Sequence, residues 1–94
     1  MEKVIYGLMT QPTAPSFIFY IPKDNQRKNY EIREIVEDYA IPDLILSWAE
    51  KYNITKVRLI GSQSFTQKFV DRTKEKELLK YNEHKLEFKQ GRLG

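Results

Sequence analysis

The sequence predicts a small single-domain α/β protein built on a small mixed sheet, and three observations carry that prediction. The chain has 94 residues, enough for one hydrophobic core and no second one. Short runs of β-branched and aromatic residues alternate with stretches whose apolar positions recur at helical spacing. Apolar residues also recur from Val4 to Phe88 without a long polar tract, so residues 1–94 are read as one folded domain with a loose tail at 90–94. Six tyrosines and five phenylalanines make the predicted core strongly aromatic.

Residues 4–9 (VIYGLM) are rich in strand formers and run into a turn stretch, TQPTAP, with two prolines. Residues 16–21 (SFIFYI) form a second strand, which Pro22 is expected to stop before the polar loop KDNQRKN. These two strands are predicted to pair as an antiparallel hairpin. Residues 30–39 are ambiguous. Ile32, Ile35, Val36 and Tyr39 fall on a helical stripe, yet Tyr30 and Ile32 alternate with Glu31 and Arg33 after a hairpin-type Asp24-Asn25. The order is therefore β-β-β-α-β-α-β or β-β-α-α-β-α-β, with the helices packed mainly on one face of the sheet.

From Ala40 the pattern sharpens. Pro42 suits a first helical turn, where its missing N–H is no loss, and Asp43 complements the positive helix end. Leu44, Ile45, Trp48, Ala49 and Tyr52 make an apolar face, and Asn53 is read as the C-cap. Residues 56–60 (KVRLI) follow as a strand with Val57 and Leu59 on one side and both cations on the other. Ser64 and Gln67 have capping-box spacing for a helix in which Phe65, Phe69 and Val70 face the core. Residues 71–77 (DRTKEKE) hold no apolar side chain, so they are read as the exposed middle of one long helix or as a break near Thr73. Residues 85–89 (KLEFK) alternate as a final strand, solvent-facing or at an edge. Its connection to the preceding strand is too long for a hairpin, so those two are predicted to be parallel.

Charge is distributed unevenly. Residues 1–47 hold five Lys/Arg against seven Asp/Glu, and residues 48–94 hold eleven against six. A basic half suits a polyanionic partner, although cations also simply solvate outer faces. With no cysteine, disulfides and thiolate metal sites are excluded. No secretory pattern opens the chain and no apolar run is long enough to span a bilayer, so a cytoplasmic location is expected.

With residues 30–36 as a strand, the element order resembles the ribonuclease H-like fold, an antiparallel meander extended by two parallel strands through helical crossovers. That resemblance implies metal-holding carboxylates on the first strand and near the end of the fourth. Residues 4–9 and 56–62 contain neither Asp nor Glu, so the implied nuclease chemistry is not expected.

The remaining candidates are few. His84 is the single histidine, placed in a turn and read as solvated rather than as a ligand. No nucleophile-elbow pattern surrounds any serine. Asp38 and Asp43 are explained by helix start and capping, and Trp48 by the core. Gly61, Ser62, Ser64 and Thr66 lie where a strand runs into a helix N-terminus, an arrangement suited to a phosphate or carboxylate, although it matches no nucleotide-binding motif. Lys56, Arg58, Lys85 and Lys89 would form a basic sheet face beside aromatic residues. Phe17, Phe19 and Tyr20 are the candidate partner interface. The expected function is a non-enzymatic binding module acting on a protein partner, or on a second copy of itself as a homodimer. The alternative is an adaptor for nucleic acid or another phosphate-bearing ligand. No catalytic residue, metal or cofactor is expected.

Overall fold

Among the described residues, five strands and two helices follow one another as β1 (Val4–Met9), β2 (Phe17–Lys23), β3 (Gln26–Val36), α1 (Ile41–Tyr52), β4 (Lys56–Ile60), α2 (Gln63–Tyr81) and β5 (Glu87–Gly91). The computed structural model describes residues 3–9, 17–23, 26–36 and 40–91, with the backbone alone for Phe17 and residues 22–36. The turn residues Asp24 and Asn25, the stretch 10–16 and Asp38 lie outside the described residues.

The sheet order is β3-β2-β1-β4-β5. β1 pairs antiparallel with β2 and β2 antiparallel with β3, while β1–β4 and β4–β5 are parallel. Residues 30–36 are thus strand, not helix. They complete a meander in which β2 has a partner on each side, a gain that the isolated apolar stripe could not register. Pro22 does not end β2. The strand continues to Lys23, with register shifts on either side of the proline, as befits a residue that cannot donate to the ladder. β5 is an edge strand, as its charged alternation predicts.

Both helices pack on one face. Ile5, Met9, Phe19, Ile21, Val57 and Leu59 meet Ile41, Ile45, Trp48, Phe69 and Val70 in a single core. Phe19 and Trp48 touch edge to face, their centroids 6.5 Å apart. Gly7 lies between Phe19 and Leu59 on that same face, where a Cβ would stand 2.7 Å from the Phe19 ring. The absence of a side chain is what lets Phe19 lie flat across β1.

α1 begins at Ala40 without a side-chain cap, carries Pro42 in its first turn, and ends at Asn53 in the left-handed conformation. α2 is unbroken. Its N-cap is Ser62, two residues before the predicted Ser64, and no side chain closes a capping box there. Gln67 instead bonds Asp71 and accepts from Gln90.

The polar stretch 71–77 is the middle of one long helix, exposed at Asp71, Arg72, Lys74 and Glu75 but not throughout. Thr73 and Glu77 are fully buried and continue the stripe of Thr66, Phe69 and Val70, whereas Leu79 is 88% exposed. Thr73 satisfies its hydroxyl on the Phe69 carbonyl one turn back. The core face of α2 therefore runs through polar residues and bypasses its leucines. Gln90 and Gly91, read as tail, belong to β5. No helix among the described residues is long and apolar enough to cross a membrane.

Candidate functional site: the helix-free sheet face

Side chains alternate along a strand, so the residues between the core positions of β1, β2, β4 and β5 point away from both helices. Register arranges them in rows. One row runs Tyr20, Tyr6, Arg58, Lys89, and the next runs Ile18, Leu8, Ile60, Gly91. At the other end, Val4 neighbours Lys56, which neighbours Glu87. The face is aliphatic on one side of the tyrosine row and charged at its β4–β5 end.

The Tyr6 and Tyr20 rings lie 5.3 Å apart at 9°, stacked face to face across the β1–β2 pair. Tyr20 is only 7% exposed, while Tyr6, Leu8, Ile18, Arg58 and Ile60 are half-buried and Lys89 is exposed. Arg58 and Lys89 are direct neighbours across β4 and β5. Among the described residues neither has a carboxylate within ion-pair distance. The Arg58 Nε is buried and makes no hydrogen bond among the described residues.

The chain matches no known protein family, no curated protein and no solved structure. The functional reading therefore rests on the chain's own geometry.

Two predicted candidates change in this geometry. Phe19 is fully buried under Trp48 on the helix side, so it is core and not a partner surface. One residue of strand period separates it from Tyr20, which does face away from the helices. The Phe17 side chain lies outside the described residues. Lys85 precedes β5 and sits over the Tyr81 ring at 4.5 Å, close to Glu83. It belongs to the α2–β5 turn, and the basic face is reduced to Lys56, Arg58 and Lys89.

The strand-to-helix junction is more occupied than the sequence implies. The Gly61 N–H bonds the Gly91 carbonyl at 3.1 Å, and Gly61 is buried against Met9 and Thr66. Thr66 is fully buried, with its hydroxyl 2.8 Å from Gln90 Oε1 and 3.0 Å from the Ser62 carbonyl. Only Ser62 and Ser64 of that set are exposed. Thr66 and Gly61 serve the packing of α2 on β5 rather than an external anion.

Glu77 is a residue that sequence reading missed. Its carboxylate is buried in the α2 face, where Oε2 accepts the Leu86 N–H at 2.8 Å. Oε1 has no hydrogen-bond partner among the described residues, and His84 Nδ1 stands 3.5 Å from it. Glu77 thus holds the turn that leads into β5, and His84, half-exposed in that turn, is placed over it. The one available sequence signal was spacing: Glu77 falls seven residues after Val70 and four after Thr73. Asp43 pairs with Lys76 at 2.7 Å and Glu50 with Lys80 at 2.7 Å, stitching α1 to α2 across an exposed seam. The described residues contain no group of three or more His, Cys, Asp or Glu able to hold a metal ion.

Proposed function

We propose that this chain is a non-enzymatic binding module that offers the helix-free face of its sheet to a protein partner. The observation that carries the reading is the juxtaposition of the aliphatic row Leu8, Ile18 and Ile60 with the stacked tyrosines and Arg58. Aromatic residues and arginine beside an apolar centre are the composition of protein interfaces. A nucleic-acid platform needs aromatic faces open to bases, and here Tyr6 and Tyr20 turn a ring face to each other. The aliphatic row also has no complement on a polyanion.

The same proposal takes the chain as a ribonuclease H-like domain without nuclease chemistry. Support comes from a meander extended by two parallel strands through helices, and from β1 and β4 that carry no Asp or Glu. Pure protein with Mg²⁺ or Mn²⁺ is expected to leave DNA and RNA intact. Cleavage abolished by one carboxylate substitution refutes that part.

The interface itself is tested by placing a photo-crosslinking amino acid at Leu8, at Ile60, and at the exposed Lys74 of α2 as a control. A discrete protein adduct is expected from the two sheet positions and not from the helix, with the adduct protein then rebinding as a pure component. Equal labelling at all three positions, or adducts made with nucleic acid, overturns the reading.

A further inference from the structure

We propose that the partner taken by this face is an acidic, apolar protein segment whose carboxylate completes the Arg58–Lys89 pair. The inference rests on the sheet-face reading above and adds the chemistry of the occupant.

Two like charges set directly opposite on neighbouring strands destabilise a sheet unless something neutralises them. Arg58 and Lys89 hold those positions on β4 and β5, and among the described residues no carboxylate reaches either one. The adjacent charged positions in the register, Lys56 and Glu87, are one cation and one anion facing each other, so they do not offset the Arg58–Lys89 pair. Arg58 adds a second, independent observation. Its Nε is buried with no hydrogen-bond partner among the described residues, although buried donors are ordinarily satisfied. A guanidinium that turns to meet a carboxylate donates from Nε and Nη together, which removes both defects at once.

The neighbouring row decides what carries the carboxylate. Leu8, Ile18 and Ile60 lie one register step beyond Tyr6 and Arg58. An occupant that covers both rows must therefore bring apolar side chains beside its acid, which a protein segment does and a sugar-phosphate backbone does not. A second copy of this chain is a poorer complement. An isologous pairing of this face would set the cation-rich end against itself or against the aliphatic row, with Glu87 as the one carboxylate among the described residues at that end of each copy.

The test is selection of a displayed random-peptide library on the purified chain, followed by anisotropy titration of the enriched peptides. Enrichment in Asp or Glu interleaved with Leu, Ile or Phe is expected. Affinity should fall about thirty-fold or more in the Arg58→Gln, Lys89→Gln double variant, the lower range for truncating one side of a desolvated charge pair. Lys89→Gln alone alters an exposed side chain on an edge strand, and it keeps the test decisive if the double variant does not fold. Enriched peptides without acidic residues that still lose binding on Leu8→Ser overturn the acidic occupant while leaving the sheet-face reading standing. Peptides insensitive to all of these substitutions, or tighter binding of oligo-dT than of any peptide, overturn both. Sedimentation showing a dimer that Leu8→Ser dissociates assigns the face to a second copy and overturns the acidic occupant.

Discussion

Replacing Gly7 by alanine sets two known effects against each other, and the geometry decides between them. Glycine inside a strand carries an entropic cost, and Gly→Ala at a permissive site stabilises by about 0.4–1 kcal/mol through the unfolded chain. At Gly7, however, the new carbon would stand 2.7 Å from Phe19 Cε1 and 2.8 Å from Leu59 Cδ2, where ordinary contact begins at 3.4 Å. Neither neighbour can withdraw easily. Phe19 and Leu59 are both fully buried, and Phe19 is pinned from the far side by the edge of Trp48. Overpacking of a close-packed core costs about 1–3 kcal/mol, so Gly7→Ala is expected to lose on the order of 1–2 kcal/mol net. For a chain of this size that corresponds to a fall in Tm of roughly 5–15 °C, read by circular dichroism and by urea titration with an unchanged slope. Phe19→Leu should relieve part of the clash. The double variant is then less destabilised than the sum of the singles by about 0.5 kcal/mol or more. A Gly7→Ala protein as stable as the parent refutes the argument, because it would mean that Phe19 is not held against β1.

Other outcomes follow from the same structure. Glu77→Ala should leave the Leu86 N–H without its acceptor and cost about 1–3 kcal/mol, with faster amide exchange at Leu86, whereas Glu77→Gln retains an acceptor and should cost less; equal effects refute the tether. Glu50 is held below the ordinary carboxylate range by the hydrogen bond from Lys80 and then by the Tyr81 hydroxyl, while the same Lys80–Glu50 hydrogen bond raises Lys80. The contribution of Glu50 is present above the unfolded glutamate value, about 4.3, and is lost as pH falls through its lowered folded value. That of Lys80 is present below about 10.4 and is lost as pH rises through its raised folded value. Glu50→Gln should therefore flatten the stability–pH curve at both ends, slightly, because the pair is exposed; curves identical to the parent's refute the pair. Finally, Lys56→Ala with Arg58→Ala should barely change the salt dependence of whatever weak single-stranded DNA binding exists. A fall in the log–log slope of roughly one to two units, at about 0.7 per phosphate contact, would instead favour nucleic acid.

Much of the architecture was readable from local pattern, because local pattern records which side of an element is buried. The alternation of residues 56–60 placed Val57 and Leu59 inward, and both are in the core. Asn53 tolerates the left-handed conformation, and it ends α1 there. The length between β4 and β5 required parallel strands, and they are parallel. Tertiary structure decided what no window of the sequence contains. Residues 30–36 carry both a helical and a strand pattern, and the hydrogen-bonding edge of β2 selected the strand. Thr73 and Glu77 are polar by composition yet buried, because Thr73 donates to the Phe69 carbonyl and the turn into β5 supplies a backbone donor to the Glu77 carboxylate. Phe19 and Tyr20 look alike as adjacent strand aromatics, but pleating sends one under Trp48 and the other onto Tyr6. The candidate face depends on the same long-range placement. Tyr6, Leu8, Arg58, Ile60 and Lys89 come from three segments far apart in the chain, and only the register of β1 with β4 and of β4 with β5 makes them neighbours. Period-two alternation reveals which side of a strand a residue occupies, but which strands lie beside it is set by pairing energies that are not local.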